Sequence, residues 1–252
     1  LLAVLRNFGE AQTGLMQAAI ALAAALNMIL NPANGMYLTP MMNRADSPAQ
    51  KISTALEFQR KLMLVLPIVA VPMVLFAPIL LFLFYSSRFV EVSQYFYLFI
   101  IAQFIAQVAG IAQAVLIGLS DLTVYAFLVG LGQLSLGLIA WVLAPRWGIY
   151  GVAVGYIFSS LAILLLCTVR LTVRHGWSVP ASQWALGGYG LLGLALAGVL
   201  FRGSELTLNT FVLSVGFFLA FTLSICILFV RSETRQIMEI LYRTTRGLIS
   251  PK

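Results

Sequence analysis

Residues 96–119 read FYLFIIAQFIAQVAGIAQAVLIGL, a run without one charged side chain that carries the amides Gln103, Gln107 and Gln113. Bilayer hydrocarbon is about 30 Å thick and a helix rises about 1.5 Å per residue, so about 20 apolar residues suffice to cross it. The run is long enough and lacks the period-2 alternation of a barrel strand, so it predicts a transmembrane helix. Six other stretches share this character: about 14–41, 62–84, 122–144, 149–170, 184–201 and 210–230. Turn chemistry separates them at Asn43–Pro48, Ser86-Ser87, Ser120-Asp121, Pro145-Arg146, Pro180–Ser182 and Gly203-Ser204. The expectation is an all-α integral membrane protein with seven transmembrane helices in residues 1–230. In the cytoplasmic tail 231–252, the spacing of Ile237, Ile240, Leu241 and Leu248 predicts a basic amphipathic helix.

Composition argues the same way. Of 252 residues, 61% are hydrophobic and 9% charged, and the mean hydropathy is +0.99. Soluble domains carry roughly 25% charged residues, and so few charges could not cover so much apolar surface in water. The net charge of +7 comes from scattered loop residues, which excludes a nucleic-acid partner and fits positive-inside bias. One side of the predicted topology holds Arg44, Lys51, Arg60, Lys61, Arg170, Arg174, Arg231, Arg235, Arg243, Arg246 and Lys252. The other holds only Arg6, Arg88, Arg146 and Arg202, which places the C-terminus in the cytoplasm and residue 1 outside. The chain opens Leu1-Leu2-Ala3 with no visible signal peptide, so a start on the outer side predicts at least one earlier span.

Cys167 and Cys226 lie inside apolar runs and read as small packed residues. A lone histidine, His175, excludes a multi-histidine metal site. No GxSxG, Walker, HExxH or paired intramembrane carboxylate pattern occurs. The expectation is therefore no enzyme activity, no metal and no cofactor.

Uncharged polar residues inside the spans are the informative ones. Asn27, Asn31 and Asn34 follow i, i+4, i+7 and share one narrow stripe of the first helix. Gln103, Gln107 and Gly110 repeat the pattern on the third. Amides facing lipid are costly, so both stripes should face protein or a wet cavity. Two readings stand side by side: a cavity offering donors and acceptors to sugar hydroxyls, or interhelical hydrogen bonding. Gln113 falls roughly 80° from the second stripe. Asp121, at the joint, is placed to cap the following helix. Glu57 and Lys61 stand at i, i+4 in the order that favours an ion pair. Arg60 and Lys61 are candidate phosphate contacts or plain anchors, and Glu57 and Asp121 candidate ion contacts. Pro67, Pro72 and Pro78 predict kinks or a hinge in the second span. Gly151 and Gly155 form GxxxG, and Gly187, Gly190 and Gly193 recur every third residue, both permitting close helix contact.

Several strings resemble a known family. Gly9-Glu10-Ala11-Gln12-Thr13-Gly14-Leu15-Met16-Gln17-Ala18-Ala19 is similar to the GxxQxGLYxAA opening of a helix in Wzx-type polysaccharide flippases, and Pro40 to that helix's small-residue-plus-Pro exit. The string 113–121, QAVLIGLSD, resembles the family's short turn between consecutive spans. Pro145-Arg146-Trp147-Gly148-Ile149-Tyr150-Gly151-Val152-Ala153 resembles its P-x-x-G-I-x-G-V-A helix start. The likeness covers residues 9–170. It implies the C-terminal half, one lobe of a two-lobed transporter of the MOP exporter superfamily in the bacterial inner membrane. Such proteins flip undecaprenyl-pyrophosphate-linked oligosaccharides, for example O-antigen units for lipopolysaccharide, by alternating access. The implied partners are the lipid-linked substrate, membrane lipids, the other lobe and polysaccharide-assembly proteins. The rival expectations are a multidrug cation antiporter of the same superfamily and a non-transporting membrane scaffold.

Overall fold

A computed structural model describes the backbone of residues 2–201 and 207–230, and the side chains of that part other than 2–8, 29–34 and 230. The predicted tail, 231–252, lies outside the described residues. Every regular element among the described residues is helical. Helix α1 spans Leu2–Ala33, followed by a π turn Asn34–Leu38 and α2 Thr39–Arg44. Helix α3 spans Pro48–Leu75 and α4 Ala77–Phe84, and a 3-10 turn Ser87–Val92 leads into α5, Ser93–Gly118. Helix α6 spans Leu122–His175, α7 Ala181–Leu200 and α8 Leu208–Ile225.

Among the described residues, five helices are long and apolar enough to cross a membrane: Pro48–Leu75, Ser87–Gly118, Leu122–His175, Ala181–Leu200 and Leu208–Phe229. The protein is thus all-helical and multi-pass in character, with two differences from the sequence expectation. The stretch 14–41, which falls on α1, the π turn and α2, is not among the five; its second half is the most polar of the predicted spans. The spans 122–144 and 149–170 fall on one 54-residue helix, α6. At about 1.5 Å per residue a straight α6 would measure about 80 Å, far longer than a bilayer is thick.

Helix α6 is not straight. Gly148 has φ 58° and ψ −136°, a conformation closed to L side chains, and the chain doubles back there. The pairing across the reversal is antiparallel throughout. A Cβ on Gly151 would lie 2.6 Å from the Leu143 carbonyl, and one on Gly155 3.3 Å from the Ala140 nitrogen. Further along, Ser159 Oγ donates to the Gly132 carbonyl (2.7 Å), and at the open end Arg170 meets Asp121. The GxxxG pair is therefore the surface on which the second arm (149–175) lies against the first (122–147). In lipid such association comes from close van der Waals packing, because lipid tails are as apolar as leucine.

The prolines act unequally. Pro67 and Pro72 lie within continuous helix, whereas the break falls at Phe76 (φ −100°, ψ 15°). Pro78 enters at the start of α4, where its missing N–H costs no helical bond. Pro40 sits likewise in the first turn of α2, just after the π turn. Helix α5 is central, packed against α1, α3, α6 and α7. Phe96, Phe99 and Phe104 of α5, with Met16, Leu26, Met63 and Leu66, fill the core, and all seven are at most 2% exposed. Helix α8 is peripheral, with Leu208, Val212, Leu213 and Leu219 exposed.

Contacts fix which ends lie together. At one end Lys51 Nζ donates to the Gly118 carbonyl (2.9 Å), Gln183 Nε2 to the Leu56 carbonyl (3.2 Å), and Asp121 meets Arg170. At the other, Gln12, Glu91, Tyr95 and Trp147 share one pocket, and Phe76 packs on Phe211. Helices α1 and α5 therefore run parallel, and α3 runs against both. The first end carries Arg44, Lys51, Arg170 and Arg174, with Arg60 and Lys61 about three turns further along α3; of the described side chains, the opposite end carries Arg88 and Arg146.

Candidate functional site

The two amide stripes meet. Asn27 Nδ2 of α1 donates to Gln103 Oε1 of α5 (2.9 Å), and Asn27 Oδ1 accepts from Gln107 Nε2. One turn separates Gln103 from Gln107, so a single asparagine bridges both. Gln107 is 5% exposed. Here the interhelical reading describes the geometry, each such bond contributing about 0.6 kcal/mol on average in membrane helices. The side chains of Asn31 and Asn34 lie outside the described residues.

A crevice opens on the neighbouring face of α5. Ala102, Ala106 and Ala109 follow i, i+4, i+7, and so much small surface in a row leaves space between α5 and the α6 hairpin. The crevice has a volume of about 330 Å³. Gln103 and Gln113 border it from α5, Val129, Gln133 and Leu136 from the first arm, and Tyr156, Ser159, Ser160 and Ile163 from the second. Except for Gln113, which is five residues from the end of α5, these positions lie in the middle half of their helix or arm. No lining residue is charged.

The donors and acceptors there are only partly occupied. Ser159 is committed to Gly132, and Gln103 to Asn27. Among the described residues no side-chain hydrogen bond engages Gln113, Gln133 or Ser160. Two amides and a hydroxyl, each both donor and acceptor, thus face an uncharged space between α5 and α6. A vicinal diol fits such a lining, whereas a cation finds no carboxylate in it. Of the anticipated amides whose side chains are described, Gln103 borders the crevice, beside Gln113, and Asn27 and Gln107 do not. Gln133, Tyr156, Ser159 and Ser160 were missed. Their signal was present, since uncharged polar residues inside apolar runs demand a partner or a cavity.

The remaining candidates lie elsewhere. Asp121 occupies the N-cap position of α6 but makes no capping bond. Its Oδ2 accepts from Arg170 Nε (3.1 Å) and lies 3.0 Å from Arg170 Nη2 and 3.9 Å from His175 Nε2. This corrects the capping expectation, because the doubled-back second arm delivers a guanidinium to the carboxylate. Lys61 Nζ meets Glu57 at 2.7 Å, with both side chains more than 60% exposed. Glu57, Arg60 and Lys61 do not line the crevice. Exposed i, i+4 pairs contribute about 0.3–0.5 kcal/mol, so Lys61→Ala is expected to leave thermal stability in detergent within that margin. A larger loss in a melting curve would show that this pair carries more than a surface role.

Among the described residues no group of three or more His, Cys, Asp or Glu side chains could hold a metal ion. Cys167 is buried and Cys226 exposed, and both are free thiols. No family model, curated protein or solved structure matches the chain.

Proposed function

We propose that the chain is the C-terminal lobe of a flippase for lipid-linked oligosaccharides, of the Wzx type that its strings at 9–19, 113–121 and 145–153 resemble. On this reading it crosses the bacterial inner membrane seven times: through α1–α2, α3–α4, α5, each arm of α6, α7 and α8. The end carrying Arg44, Lys51, Arg170 and Arg174, on whose side Arg60 and Lys61 enter the second span, faces the cytoplasm. The substrate is an undecaprenyl-pyrophosphate-linked glycan, and the second lobe of the transporter completes the cavity.

The observation that carries the proposal is the uncharged crevice with Gln113, Gln133 and Ser160 open to it. A glycan cannot pass through hydrocarbon unaided, because each hydroxyl would leave its water partners without replacement. A mid-depth lining of amides and hydroxyls replaces those partners while the lipid tail stays in the bilayer. Rocking of two lobes would expose such a lining to each side in turn. The crevice lacks the carboxylate that binding of a drug cation calls for.

The test is complementation with the full-length protein in a strain lacking it. Gln113→Leu combined with Gln133→Leu removes both amides without adding charge. Each hydrogen bond is worth about 1 kcal/mol, so losing two should lower surface polysaccharide about thirtyfold while the protein remains in the membrane. Undiminished polysaccharide at equal protein level would refute a glycan path through the crevice and leave a scaffolding role.

A further inference from the structure

We infer that the end of the bundle opposite the Asp121–Arg170 pair carries a second binding site, for one hydroxyl-rich ring of a glycan, formed by Gln12, Glu91, Tyr95 and Trp147. It deepens the proposed function and rests on it for the class of ligand. Three breaks in the helical backbone create the pocket. Helix α1 kinks at Gly9 (φ 78°, ψ 179°), three residues before Gln12. The turn Ser87–Val92 carries Glu91 into α5, and Gly148 reverses α6 next to Trp147. These elements border an open pocket of about 130 Å³ lined by Gln12, Glu91, Tyr95, Trp147, Gly148 and Ile149 among others, with Gln12 and Glu91 exposed to solvent. A liquid water occupies about 30 Å³, so the space takes a few waters or one edge of a sugar ring.

The side chains present are complementary to such a ring. Among the described residues, the Glu91 carboxylate has no ion pair, and no side-chain hydrogen bond engages Gln12, Glu91, Tyr95 or Trp147. A carboxylate accepts from two neighbouring hydroxyls, and an amide both donates and accepts. Phenol and indole add an aromatic face for C–H groups and a polar tip for hydroxyls. Tyr95 is held in place, since its ring meets Tyr150 edge-on at 5.5 Å and the Tyr150 hydroxyl lies 2.7 Å from that of Tyr97. Trp147 is 57% exposed at the rim.

An amine is the competing ligand, because a carboxylate among aromatic rings also suits a cation. Backbone hydrogen-bond donors at the reversal favour the hydroxyl-bearing ring. The second arm of α6 begins at Ile149, so its first N–H groups and the positive pole of its dipole border the pocket. The first arm ends at Trp147 with its negative pole at the same reversal, so the two dipoles offset each other and the free N–H groups act as local donors to hydroxyl oxygens.

The experiment uses the full-length protein in lipid nanodiscs and reads tryptophan fluorescence. The probes are D-glucose, D-galactose and N-acetyl-D-glucosamine, added as free sugars, with tetraethylammonium as the cationic comparison. At least one sugar should give a saturable change that is lost in Trp147→Phe. Glu91→Ala should weaken it about tenfold, the loss expected for a charge-assisted hydrogen bond. The Gln113→Leu/Gln133→Leu protein should keep it unchanged, which separates this site from the crevice. Saturation with tetraethylammonium alone, no saturable change with any sugar, or a change that survives both pocket substitutions overturns the inference. Gel filtration of each variant confirms that it is folded.

Discussion

Gly151→Ala is expected to destabilise the detergent-solubilised protein by about 2 kcal/mol, the middle of the range for overpacking a tight contact. The added methyl would sit 2.6 Å from both the carbon and the oxygen of the Leu143 carbonyl, and 3.0 Å from the Ala144 nitrogen. These are backbone atoms of the facing arm and cannot rotate away. The change also improves helix propensity by about 1 kcal/mol, but the clash outweighs that gain. Gly137 supplies the control on the same helix, with nothing within 4 Å of its Cβ position. Gly137→Ala should leave stability unchanged or raise it slightly. Melting curves of the two variants should therefore move in different directions. Equal shifts would mean that the arms of α6 are not pressed together at Gly151.

Arg170→Leu should lower stability by about 1–3 kcal/mol, because it strands the Asp121 carboxylate, which is only 15% exposed. The His175 imidazole, 3.9 Å away, is too distant to replace two guanidinium contacts at 3.0 and 3.1 Å. Asp121→Leu should have a smaller effect, since Arg170 is 30% exposed and can turn its head group toward water. The double replacement should recover part of the loss and give a coupling energy of about 1–2 kcal/mol. Additive single and double effects in thermal unfolding would show the pair to be incidental.

Elements whose character is set by local composition were legible in the sequence. The run 96–119 became α5, Ser93–Gly118, and the joint Ser120-Asp121 ends it. Helical periodicity placed Gln103 and Gln107 on one face, and they do share a partner. Which partner, and whether water could reach them, depends on the neighbouring helix and its rotation. Periodicity along one helix carries no such information, so Asn27 could be assigned to a stripe but not to a bond. The crevice was hidden for the same reason, as it exists only where the hairpin lays Gln133 and Ser160 against the alanine row of α5. Asp121 shows the limit of local rules. Its position suits a cap, but a guanidinium from 49 residues further on claims the carboxylate.

The reversal at Gly148 leaves no slack between the arms of α6, since helix resumes on either side of a single residue. An extra residue inserted just after it would have to be taken up by the second arm, turning it by about 100° about its axis. That turn would carry Gly151 and Gly155 off the first arm, pull Ser159 from Gly132 and swing Tyr156 out of the crevice. Chain length at this bend is therefore under stricter control than residue identity along the lipid-facing surface, and homologues aligned across it should show substitutions but no gaps.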